Sequence, residues 1–271
     1  MSAVDASLLG LILRRDRIIG LVALILFTAF AWWYLLQGAG MPDDMSSMAG
    51  MGMPMDMSMT QPWTSGYAVL VFVMWWVMMI AMMLPSAAPM ILLHGLVSRH
   101  QQKQGAVPAS SGIFLLGYLC IWGAFGALAT LLQWQLQKLA LLSPAMELSS
   151  SLFGGAILVA AGLYQLTPLR ESCVQRCRGP LEFIHRHWLP GAAGAWKMGV
   201  RHGIYCLGCC WMLMALLFYG GVMNLYWIVG LAIYVFLEKL LPGGTWVSRI
   251  ASIALICWGT VVLVSAAGMG N

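Results

Sequence analysis

Charge is what this chain has least of. Only 8% of its 271 residues are Asp, Glu, Lys or Arg, against 61% hydrophobic residues and a mean hydropathy of +0.84, which excludes a soluble globular domain. The G-x-x-x-x-G-K-[ST] phosphate loop is missing, so the sequence offers no motif for an ATP-driven pump. No acidic side chain lies well inside an apolar run, where a proton relay would need one. Histidine is scarce: of five, only His202 and His94 fall in or at the end of an apolar run. Oxygen chemistry at copper usually draws on several imidazoles, which weighs against an oxidase.

What is present is apolar length. Runs of the roughly 17–25 residues needed to cross a bilayer occur at Ile18–Leu36, Tyr67–Leu93, Ile113–Leu136, Leu152–Leu169, about Val200–Phe218, Val222–Leu237 and Val247–Ala267. The expectation is an all-α membrane protein, a bundle of seven transmembrane helices. With the N-terminus inside and the C-terminus outside, 13 of the 14 basic residues face inward and only Lys138 faces out, as the positive-inside bias requires. The net charge of +5 is thus a topology signal and gives no support to nucleic acid as a partner. The expected setting is the bacterial cytoplasmic (inner) membrane. Residues 1–37 form the inner N-terminus and first helix, 38–65 an outer loop, and 66–271 a six-helix metal-binding domain. The first run is read as an anchor rather than a cleaved leader, because it is long and ends in Trp32, Trp33 and Tyr34, an interfacial aromatic belt.

The outer loop holds the densest single-residue signal. Eight of the nineteen residues from Met41 to Met59 are methionine, interrupted by Pro42, Pro54, Gly50 and Gly52, which prevent a stable apolar face. Loop thioethers without a neighbouring imidazole or thiolate favour Cu(I) or Ag(I) over harder ions. Met51, Met53, Met55, Met57 and Met59 are the candidate ligands. The second run continues the theme with Met74, Met78, Met82 and Met83. The first three form a row spanning about 80° of the helix, with Met83 near 180°, too wide a spread for one ligand stripe, so some pack. Pro85 removes the hydrogen bond to the Ala81 carbonyl and is expected to turn that group toward a neighbouring helix.

The fifth run, RHGIYCLGCCWMLM, concentrates soft ligands. His202, Cys206, Cys209 and Cys210 fall within about 100° of one helix face, and Gly203 and Gly208 leave room for another helix. Cys173 and Cys177, four residues apart in the long inner segment, are followed by His185 and His187, and two thiolates with two imidazoles make a Zn site possible there. None of the seven cysteines lies in an outer segment, consistent with reduced thiols kept as ligands. Glu238 and Lys239 at the inner end of the sixth run read either as an ion pair closing a cavity or as an interfacial anchor.

The segments WWVMMIAMMLPSAAPM, YQLTPLRESCVQRCRGP and GVRHGIYCLGCCWMLMALLFYGGVMNLYWIVGLAIYVFLEKL resemble a bacterial family of predicted metal-binding integral membrane proteins, over roughly residues 67–241. The resemblance implies roles for Met78, Met82, Met83, Pro85, Cys173, Cys177, Cys206, Cys209, Cys210, Met214, Glu238 and Lys239, and it supplies no activity. The methionine loop lies outside the family pattern. The expectation is a Cu(I)-handling membrane protein, not obviously an enzyme, that captures metal at the loop and passes it to the cysteine helix for transport or delivery. Its partners would be copper ion, the bilayer, and a copper chaperone or copper-enzyme subunit. The alternatives are a membrane copper enzyme or an accessory subunit of one, and a structural subunit whose methionines only pack.

Overall fold

The computed structural model describes residues 3–40, 63–104, 107, 110–142, 146, 148–241 and 244–268. The methionines at 51, 53, 55, 57 and 59 lie outside the described residues. Within them the structure is helical: α1 Ala3–Leu36, α2 Ser65–Lys103, α3 Ser111–Lys138, α4 Ser151–Gln165, α5 Pro168–Arg178, α6 Pro180–His187, α7 Gly191–Ala215, α8 Leu217–Gly220, α9 Leu225–Leu240 and α10 Gly244–Gly268. Among the described residues, five segments are long and apolar enough to cross a membrane: Ile18–Leu36, Ser65–Gln102, Ser111–Lys138, Gly191–Gly220 and Trp246–Gly268. The outward faces of α1, α3 and α10 carry exposed Leu26, Phe30, Leu128, Leu131, Val261 and Val264. Apolar surface of that extent suits lipid rather than water.

The fourth run is where the fold departs from a simple rod. Leu152–Leu169 reads as one span, but the chain bends by 64° between α4 and α5. Thr167 accepts a hydrogen bond from the Arg170 amide and Pro168 occupies the first helical turn, so a new helix starts where the apolar run continues. Counting the bent pair as one span brings the total to six. The α9 rod, at 16 residues, is about 24 Å long, short of a typical hydrocarbon core.

Two helix crossings position the chemistry. α3 and α7 meet backbone to backbone at Gly117 and Gly199: a Cβ on Gly117 would fall 3.0 Å from the Val200 nitrogen, and one on Gly199 would overlap the Phe114 carbonyl. That closeness sets Tyr118 of α3 against the cysteine face of α7. α2, bearing Pro85 and Pro89 inside an unbroken helix, packs against α1, α3 and α9. The carbonyl freed by Pro85 is used as the sequence implies, because the Trp32 indole of α1 donates to Ala81 O at 3.1 Å. Trp32 is therefore turned into the bundle, leaving Trp33, 55% exposed, as the outward member of the expected belt.

Candidate metal centre

The thiols of α7 face inward. Cys206, Cys209 and Cys210 are each 1% exposed and His202 2%, so the helical-face argument from spacing holds. Other elements complete the surroundings. From α2, Met83 Sδ lies 3.8 Å from Cys210 Sγ. From α3, the Tyr118 hydroxyl lies 3.2 Å from Cys206 Sγ and 3.3 Å from the Met83 carbonyl. From α9, Lys239 Nζ donates to Cys206 Sγ at 3.0 Å and to Ser86 Oγ at 3.3 Å.

The inner cysteines join this group. Cys177 of α5 lies close to the Cys206 and Cys209 thiols, and Cys173 packs against Gly208, where a Cβ would come within 2.9 Å of its sulfur. The pairing of Cys173 and Cys177 with His185 and His187 is not what the structure assembles: His185 is exposed, and His187 Nδ1 is 3.1 Å from the Phe183 carbonyl. The cause is the bend at Thr167, which lays α5 across α7.

The sulfurs are close but not yet arranged as a chelate. Cys209 and Cys210 each donate to the Cys206 carbonyl at 3.0 Å, so their S–H groups point back along the helix. Among the described residues, no three His, Cys, Asp or Glu side chains form a ready-made metal-binding group. Binding would require the two thiols to leave that carbonyl, a side-chain rotation within reach of ordinary rotamers.

Of the α2 methionines, Met74, Met78, Met82 and Met83 are all at most 1% exposed. Met83, on the opposite side of the helix from Met74, is brought to the Cys210 thiol. His202 lies among Phe114, Tyr118 and Phe183, with ring centroids 6.0, 5.7 and 5.6 Å away, and its Nδ1 has no hydrogen-bond partner.

Glu238 and Lys239 do not pair with each other. Successive helical side chains point about 100° apart, and each residue finds a partner on a different helix. Glu238 forms a buried ion pair with Arg170 of α5, both 1% exposed. The Arg170 guanidinium also donates to Ser248 Oγ of α10 at 2.7 Å. Tyr234 donates to Gln165 Oε1 at 3.3 Å and to Glu238 Oε1 at 3.4 Å.

Tyr118, Ser86, Arg170, Gln165 and Ser248 were not legible as site residues. Arg170 counted in the sequence only as an inward-facing charge. The Thr167-Pro168 helix start, which makes a span end there and a new helix turn inward, was the available signal.

A family model described as copper chaperone, PpoB2, matches residues 72–262. The chain belongs to this family. The PpoB2 match contains every described candidate ligand, and it begins after the methionine-rich segment. It also runs past residue 241 into α10, so the bent α4–α5 unit and its α10 neighbour are part of the family pattern. No curated protein and no solved structure matches the chain.

Proposed function

We propose that this chain is a Cu(I) carrier of the bacterial inner membrane, taking metal at the outer methionine segment and holding it on the thiols of α7 for transport or delivery. The observation that supports this reading is the buried group of Cys206, Cys209 and Cys210, with the Met83 thioether 3.8 Å from Cys210, in a family described as copper chaperone. Soft sulfur donors favour Cu(I) over the harder ions. Burial adds to this, because a thiolate in a low-dielectric interior is costly until a cation neutralises it.

The direction follows from ligand strength. Met41–Met59 offers neutral thioethers, α2 carries further thioethers through Met74, Met78, Met82 and Met83, and the cysteines offer anionic sulfur, so each step inward binds more tightly. Cys173 and Cys177, on the half-buried helix α5, form the inner margin of the same cluster, from which a soluble acceptor would draw metal. If α9 also crosses, making seven spans with an inner N-terminus and an outer C-terminus, the methionine segment lies on the receiving side. A Zn(II) site built on Cys173 and Cys177 would have to draw on the α7 thiols in place of histidine.

The test is Cu(I) binding to the purified protein under reducing, anaerobic conditions. The Cys206→Ser/Cys209→Ser/Cys210→Ser variant should lose tight binding, by about a hundredfold or more given the weakness of thioether ligands. Deletion of residues 41–59 should slow loading at low copper and leave occupancy at saturation unchanged. A triple-serine protein that holds Cu(I) as tightly as wild type would sink the proposal.

A further inference from the structure

Lys239 sits where a metal chemist would not choose to put a cation. The residue is 7% exposed, and its ammonium group touches a sulfur of the proposed copper site at 3.0 Å. A buried ammonium needs a counter-ion, and the adjacent acid, Glu238, is already held by Arg170. The group facing the ammonium is the Cys206 sulfur, which also has the Tyr118 hydroxyl at 3.2 Å. The ammonium is the charged donor to this sulfur, and a charge-assisted contact of that kind suits a thiolate. The remaining contact of the ammonium, Ser86 Oγ, is neutral and itself donates to the Met83 carbonyl at 2.8 Å.

We infer that Lys239 is a specificity-determining residue: its fixed positive charge makes the thiol site select a monovalent soft cation over a divalent one. This rests on the Cu(I) reading of the same site. The selection is a matter of charge. Cu(I) bound between two thiolates makes a unit of charge −1, which the ammonium balances, and Met83 can add a neutral third sulfur without changing the sum. Each coordinating thiol gives up its proton as its Cu–S bond forms. Zn(II) between two thiolates is neutral, so the ammonium is left as an uncompensated buried charge; restoring balance would require a third thiolate and the loss of a further proton. In a low-dielectric interior that difference is expensive. The positive residue thus costs the site little for Cu(I) and much for Zn(II).

The test compares Cu(I) and Zn(II) affinities, each by chelator competition, for full-length wild type, Lys239→Gln, Lys239→Met and Lys239→Arg in detergent. Replacing the ammonium with a neutral group should narrow the Cu(I)-to-Zn(II) affinity ratio by about tenfold or more. The Arg variant, which keeps the charge, should retain most of the wild-type ratio. Gln keeps a donor toward Ser86 and Met keeps the apolar stem, so the two neutral variants guard against misfolding of either one. An equal loss of both metals, or an unchanged ratio in a folded neutral variant, would overturn the inference and leave the Cu(I) carrier standing. If wild type binds no Cu(I) through the α7 thiols, the carrier reading falls and this inference falls with it.

Discussion

Two buried charge clusters are built from adjacent residues of α9, and they are unlike in kind. Glu238 meets Arg170, a group whose charge never changes, with Ser248, Gln165 and Tyr234 closing the ring. Lys239 meets Cys206, a partner able to exchange a proton for a metal. The first cluster ties together α4, α5, α9 and α10; the second joins α9 to α2 and α7, with α3 contributing Tyr118. A fixed pair suits a joint, and an exchangeable pair suits a site. The difference teaches that a charge inside this bundle is explained by what its partner is able to do, since both clusters are buried.

Breaking the fixed pair should have the largest effect on stability. Arg170→Leu strands the Glu238 carboxylate among apolar helices, a loss of about 3–5 kcal/mol for a pair buried on both sides. The double variant Arg170→Leu/Glu238→Leu should recover most of that, because it removes both charges together. Thermal unfolding in detergent checks both. If Arg170→Leu unfolds at the wild-type temperature, the pair is not the joint between α5 and α9. Cu(I) affinity measured on the double variant should stay near wild type, which separates this cluster from the sulfur site.

The parts of this arrangement that were legible in the sequence are those carried by one helix. Cys206, Cys209, Cys210 and His202 share a face because of their spacing, and the Ala81 carbonyl is free because Pro85 follows it by four. Both follow from the geometry of a single rod. Tyr118, Ser86, Met83 and Lys239 meet around Cys206 and Cys210 from three other helices, and no periodicity in any one of them records a crossing. Spacing alone offers His185 and His187 as companions of Cys173 and Cys177, and for the same reason it cannot show that α5 packs against α7. The α7 residues beside these cysteines lie about thirty positions on, and the bend at Thr167 brings α5 across them. Apolar length alone could not reveal that bend, since Leu166 and Leu169 keep the run going on either side of it.

An intermediate effect is expected where α5 touches the sulfur site. Gly208→Ala would drive a methyl group to 2.9 Å from Cys173 Sγ, and the Tyr164 hydroxyl, which donates to the Gly208 carbonyl at 2.5 Å, resists movement of α7. The displaced partner should be Cys173, at a cost of about 1–3 kcal/mol for an overpacked contact. Alkylation of Cys173 by a maleimide, followed in a variant lacking Cys120 and Cys257, should speed up several-fold. Unchanged alkylation with unchanged stability would show that α5 is not held against α7 at this point.

The smallest effect, and the sharpest use of the comparison, belongs to Tyr118. Its hydroxyl touches Cys206 Sγ as Lys239 does, but without charge. Tyr118→Phe removes one hydrogen-bonding group and leaves the ring in place against His202, so the apo protein should lose about 1 kcal/mol, the net worth of one such bond. Removal of a neutral hydrogen-bonding group beside Cys206 acts equally on either metal. The Cu(I)-to-Zn(II) ratio should therefore stay at its wild-type value while both affinities shift slightly and together. If Tyr118→Phe narrows the ratio as much as Lys239→Gln, then hydrogen bonding to the sulfur, rather than the charge beside it, sets the preference of the site.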